Sequence, residues 1–87
     1  MPFYFYLARC RDNSLYCGSC KDPAAREAKH NAGEGAKYTR SRRPIRMVYS
    51  EEFPTLVEAM RREAEVKKWR KGEKEWLAAG KHPSKDG

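Results

Sequence analysis

Phe3-Tyr4-Phe5-Tyr6-Leu7-Ala8-Arg9-Cys10, then Arg11-Asp12-Asn13-Ser14, then Leu15-Tyr16-Cys17-Gly18-Ser19, is the stretch that decides the fold. The first run is rich in aromatic residues and too short for a buried helix, so it reads as a strand covered on both faces. Asp12 and Asn13 tolerate turn conformations, and the second run returns as the partner strand of a β-hairpin. Side chains alternate along a strand, so the relation between Tyr6 and Tyr16 depends on register. If Cys10 pairs with Ser14 across a three-residue turn, Ala8 faces Tyr16 and both tyrosines share a face. A two-residue turn would separate them. The ordinary role of either tyrosine is core packing with its hydroxyl at the rim.

Beyond the hairpin, Asp22-Pro23 reads as a helix start, with the carboxylate capping free N–H groups and proline at the first helical position. That helix is expected from Pro23 to Asn31. Residues 32–43 read as a basic, glycine-containing loop, and Pro44 to Ser50 as a third strand. Thr55-Leu56-Val57-Glu58 is a capping box in which each polar side chain satisfies a backbone donor. It opens a second helix running through Trp69. A short helix over Glu73 to Ala79 follows, anchored by Trp76 and Leu77. The order implies an α+β domain, a small three-stranded antiparallel sheet flanked by helices, over residues 1–79, with a flexible polar tail at 80–87. There is no internal repeat.

Eighty-seven residues make one domain with a thin core, and 39 % hydrophobic against 36 % charged residues is compatible with independent folding. No run approaches the roughly 18 apolar residues of a membrane span, so no membrane partner is expected. Met1-Pro2-Phe3-Tyr4-Phe5-Tyr6-Leu7 lacks the basic start and cleavage site of a signal peptide, which makes the cytoplasm the expected compartment. Cys10, Cys17 and Cys20 are an odd set, which argues against a disulfide framework. Cys17-x-x-Cys20 with Cys10 and His30 admits a zinc reading, against the simpler reading of small apolar core residues. A net charge of +7 suits a polyanion.

Glu63 is the most informative position. On a wheel of about 100° per residue it points along a stripe made by Leu56, Ala59, Met60 and Val66, where an unpaired carboxylate is costly. Either Lys67, one turn on, neutralises it, or it lines a cleft and holds a metal ion. Arg26 and His30, four apart on one helix, suit a phosphate. The alternative is a solvated basic face, with Ala24, Ala25 and Ala28 on the buried side. Lys37, Arg40, Arg42 and Arg43, with Tyr38 among them, form a candidate nucleic-acid contact in which cations meet phosphates and the phenol stacks on a base.

The ordered set of these motifs resembles the GIY-YIG nuclease family in its short stand-alone form. Tyr4-Phe5-Tyr6 stands for the first motif and Tyr16-Cys17-Gly18 for the second. Arg26 and His30 follow on the helix, then Gly35-Ala36-Lys37-Tyr38-Thr39-Arg40, Arg42-Arg43-Pro44 and the acidic helix carrying Glu63. The match spans roughly residues 3–77. The resemblance implies a DNA endonuclease, structure-selective or poorly sequence-specific and linked to repair or recombination. It further implies one divalent cation, Mg²⁺ or Mn²⁺, held by Glu63, with Tyr6 activating water, Tyr16 orienting phosphate or water, Arg26 stabilising transition-state charge and His30 supporting proton transfer or phosphate contact. Tyr4-Phe5 replaces the Gly-Ile of the family name, Cys17 replaces the central residue of the second motif, and Ser19 stands where some relatives place a lysine. Relatives often rely on added domains for target choice, so a protein partner supplying specificity is also implied. A non-catalytic nucleic-acid-binding module on the same scaffold is the alternative.

Overall fold

The structure, a computed structural model, describes residues 1–80. The elements in chain order are β1 (Phe3–Arg9), β2 (Leu15–Cys20), α1 (Pro23–Asn31), α2 (Lys37–Arg40), β3 (Arg46–Phe53), α3 (Leu56–Lys67) and α4 (Lys71–Ala78). The three strands form one antiparallel sheet in the order β2-β1-β3, the expected α+β architecture.

The hairpin adopts the three-residue register. Cys10 N–H donates to Ser14 O at 2.9 Å, Asn13 takes the left-handed conformation at φ 72°, and Ala8 pairs with Tyr16. Strand alternation then sorts the core into two layers. Phe5, Leu7 and Cys17 meet Val66 of α3 and Leu77 of α4 on one face. Tyr6, Ala8, Cys10, Cys20 and Ile45 lie on the other, where α1 docks. Asn31 ties α1 to β3 by accepting from Ile45 N–H at 2.7 Å and donating to Ile45 O at 2.9 Å, and Glu27 accepts from Met47 N–H at 2.7 Å.

Several local expectations are revised. The segment 32–43 holds the short helix α2, whose Thr39 and Arg40 N–H groups both donate to Ala36 O. The third strand begins at Arg46, because Asn31 takes both backbone groups of Ile45. It runs on to Phe53. Glu51 and Glu52 are tolerated there because β3 is an edge strand, and Arg62 forks onto the Glu51 carboxylate at 2.9 and 3.0 Å. In the capping box, Thr55 Oγ accepts from Glu58 N–H as expected, but the Glu58 carboxylate takes the Thr55 hydroxyl. Helix α4 starts at Lys71, with Glu73 accepting the Arg70 N–H at 3.0 Å. Leu77 is its buried anchor, whereas Trp76 is half exposed. Beyond Gly80 the expected tail lies outside the described residues. Among the described residues no helix is long and apolar enough to cross a membrane.

Candidate active site

The face that α1 turns inward is polar. Ala24, Ala25 and Ala28 are exposed, Arg26 and Glu27 are half-buried, and His30 is 1 % exposed. The alanines therefore do not form the buried side. The inward groups are the ones that make specific bonds, and a helix with a buried imidazole must satisfy both its nitrogens.

They are satisfied. The Tyr6 hydroxyl lies 2.9 Å from His30 Nε2, and His30 Nδ1 lies 2.8 Å from Thr39 Oγ1. Thr39 donates its own proton to Ala36 O at 2.9 Å. Its oxygen can then only accept from the ring, which places the imidazole proton on Nδ1. Nε2 is left as an acceptor for the Tyr6 O–H. Tyr6 and Thr39 are as buried as the histidine between them. Two glycines make the approach possible. A Cβ on Gly18 would fall within the Tyr6 phenol, and one on Gly35 within the His30 ring.

Tyr16 packs beside this chain, its ring centroid 6.3 Å from Tyr6 and 5.4 Å from His30. Tyr38 stacks on Tyr16 with centroids 6.0 Å apart and planes at 25°, and the Arg42 guanidinium covers Tyr38 at 3.8 Å. Arg42 is fixed by Asp12 at 3.0 Å and by Tyr38 O at 2.8 Å, and Arg43 by Arg40 O at 2.9 Å. Two of the loop's cations thus brace the loop, while Lys37 and Arg40 project into solvent without an ion pair among the described residues.

Glu63 stands at the other side of the edge strand β2. Ser19 pairs with Phe5 and so faces α3. Its hydroxyl donates to Glu63 Oε1 at 2.6 Å, and Lys67 Nζ meets Oε2 at 2.8 Å. The glutamate side chain is 20 % exposed. Of the two readings of Glu63, the ion pair with Lys67 forms, and the carboxylate stays partly exposed. Ala59 and Val66 carry the buried stripe of α3, whereas Leu56 and Met60 on the Glu63 side are about half exposed. The electrostatics join the two sides at Tyr16, whose phenol feels Lys67, Glu63 and Arg26.

Burial raises the Tyr6 phenol well above its usual value, with Tyr16 adding to this and Arg26 opposing it. The Tyr16 phenol is also raised, chiefly by burial, with the lysine and arginine charges pulling it back. His30 is lowered by burial and by Arg26. At neutral pH the resting site therefore holds neutral phenols and a neutral imidazole. Lys67 is raised by its bond to Glu63.

The Glu63 donor set fits a hard divalent cation. It is a single rim carboxylate already attracting a cationic group to one oxygen, and magnesium binds through one or two carboxylates completed by substrate phosphate and water. The cysteines do not make a competing site. Cys17 and Cys20, three apart on a strand, face opposite layers, and both nitrogens of His30 are engaged. No group of three or more potential ligands gathers among the described residues.

Of the residues expected from the sequence, Tyr6, Tyr16 and His30 lie together and Glu63 lies across β2, whereas Thr39, the partner of His30, was not expected. Its signal lay within Gly35-Ala36-Lys37-Tyr38-Thr39, but nothing in that segment indicates that the threonine turns inward.

Relatives share this framework. The chain is 52 % identical over 71 residues to a UPF0213 protein of Staphylococcus haemolyticus, covering 82 % of this chain and 87 % of the relative. The solution NMR structure of a UPF0213 protein from Bacillus halodurans superposes with a TM-score of 0.59 at 46 % identity, over 93 % of this chain and 86 % of that one. The solution NMR structure of a protein from E. faecalis gives 0.60 at 39 % identity, over 92 % and 85 %. The family described as the GIY-YIG catalytic domain matches residues 2–75, and the chain belongs to that nuclease-type family.

Proposed function

We propose that the chain is a metal-dependent endonuclease hydrolysing phosphodiester bonds in DNA, acting structure-selectively in repair or recombination. The observation that carries this reading is the directed chain from Tyr6 through His30 to Thr39, set beside Arg26 and Tyr16, with the open carboxylate of Glu63 across β2.

Arg26 grips the scissile phosphate and stabilises the charge gained as the attacking oxygen adds. Glu63 would hold a divalent cation, Mg²⁺ or Mn²⁺, which when bound would polarise the phosphate and lower the pKa of nearby water. The Tyr6 oxygen accepts a proton from the attacking water as its own proton passes to His30 Nε2. A free phenolate, which burial disfavours, is never required. One water O–H bond and the P–O bond to the leaving oxygen break, a new P–O bond forms to the water oxygen, and the departing alkoxide takes a proton from solvent. Tyr16 orients the phosphate, and Lys37 and Arg40 contact the flanking backbone with Tyr38 at their side.

The test is cleavage of a panel of labelled duplex, branched and mismatched DNA with Mg²⁺ or Mn²⁺. Glu63→Ala, Arg26→Ala and Tyr6→Phe should each lower kcat by about 100-fold or more. Cutting unchanged in all three would end the reading. The raised Tyr6 phenol favours one alternative, a non-catalytic binding module, which predicts salt-sensitive DNA binding with no metal-dependent cutting.

A further inference from the structure

We infer that the cleft between the start of β1, the β2–α1 connection and the start of α3 is a subsite for one nucleobase of the bound strand. The inference rests on the nuclease reading for its orientation. The cleft encloses about 420 Å³ and is lined by Phe3, Lys21, Ala25, Arg26, Lys29 and Leu56, among others. Its lining is mainly apolar, and the charged groups are three cations, Lys21, Arg26 and Lys29, against one acid, Asp22. Phe3 lies on the same sheet face as Phe5 but beyond the covered core, and the Lys21 ammonium sits 5.8 Å from its ring centroid. Leu56 is 43 % exposed, and Met60 and Val57 beside it on α3 are 53 % and 58 % exposed.

Two features select the occupant. The cleft is continuous with the active site, because Arg26 and Ser19 line both. A strand whose phosphate is held by Arg26 must therefore pass the cleft with its next nucleotide. The lining is also complementary to a nucleotide, with an aromatic and aliphatic floor for a flat apolar base and cations for the phosphate on either side. Leu56 and Met60 were expected in the core. The exposure of Leu56, which lines the cleft, is accounted for by a base resting against it. A base stacked in a duplex cannot enter, so the subsite takes a base that has left its helix.

The experiment compares binding of decathymidylate with an abasic deoxyribose-phosphate chain of equal length and charge, by fluorescence anisotropy without divalent metal. The whole chain should prefer decathymidylate. Phe3→Ala and Leu56→Ser should each lower that preference by about tenfold, the scale of one stacked base. Lys21→Gln should weaken both probes alike. Leu56 is exposed enough that its replacement leaves the fold intact if Phe3→Ala does not. Equal affinity for the two probes, or a preference that neither apolar substitution reduces, would overturn the subsite. Glu63→Ala separates the two proposals. It should abolish cutting and leave the preference for bases unaltered, whereas cutting that survives it removes the nuclease reading alone.

Discussion

The Tyr6 hydroxyl and His30 Nε2 lie 2.9 Å apart, and the direction of that bond is set from the far side of the imidazole. Thr39 gives its proton to Ala36 O and accepts the Nδ1 proton of His30, so the phenol proton already points at the nitrogen that would receive it. The site carries its proton acceptor prealigned.

Thr39→Val should expose this arrangement. The isosteric change removes the only acceptor for a buried N–H and should destabilise the fold by about 1–3 kcal/mol. With Nδ1 unsatisfied, the ring is free to move its proton to Nε2, and kcat should fall more than KM. Nitrogen chemical shifts of His30 report the tautomer directly, and Thr39→Ser should restore both shift and rate. Wild-type tautomer and kcat in Thr39→Val would show that Thr39 only fills space.

Gly18→Ala should act on Tyr6 rather than on the backbone. The added methyl would occupy the space of the phenol, whose ring is buried. Overpacking of this kind costs about 1–3 kcal/mol. The sharper readout is the Tyr6–His30 bond, whose loss should remove cutting while leaving far-UV circular dichroism near wild type. Full activity in Gly18→Ala would mean that the phenol tolerates displacement and that its position is not critical.

Much of this was legible before any coordinates. Strand alternation reduced the relation of Tyr6 and Tyr16 to a choice of turn length, which the sequence left open, and the helix wheel singled out Glu63. Less legible were features that depend on partners distant in sequence. Alanines look like the buried face of α1, but the neighbouring sheet layer offers a phenol, so the imidazole turns inward instead. Leu56 and Met60 look like core residues on a wheel, yet only Ala59 and Val66 meet the sheet, because residue size on one helix does not say where its neighbour lies. Thr39 belongs to a segment whose local pattern is a basic loop. Its inward turn follows from the acceptor His30 needs and not from anything in the loop itself.

The acid limb of stability and of activity should share one origin. Burial and Arg26 hold His30 below its ordinary 6.5, so between that folded value and 6.5 the unfolded chain binds more protons than the native one. The contribution of the neutral imidazole is therefore complete above about pH 6.5 and is lost as pH falls towards the folded value. Thermal midpoints should decline across that window, before carboxylates such as Glu75, lowered by Arg9, begin to protonate. The kcat profile should drop in the same region, since a protonated Nε2 cannot accept from Tyr6. A kcat profile flat through the window in which the midpoint falls would separate His30 from proton transfer and leave it a structural role.

Lys67 occupies one oxygen of Glu63 at 2.8 Å, as a cation would, and Ser19 occupies the other. A divalent ion must displace that ammonium, and the pair is exposed on the lysine side, so the competition is modest, on the order of 1 kcal/mol or less. Lys67→Ala should therefore raise Mn²⁺ affinity by about two- to fivefold, read from the free-ion paramagnetic resonance signal, while Glu63→Ala should abolish the bound fraction. Removing the same charge raises the Tyr16 phenol further, but its orienting role uses the neutral hydroxyl, so turnover at saturating metal should be unchanged. Tighter metal binding without a change in rate is the distinguishing result. If Mn²⁺ binding weakens in Lys67→Ala, the lysine supports the carboxylate instead of competing for it, and the cation does not enter at the oxygen that Lys67 covers.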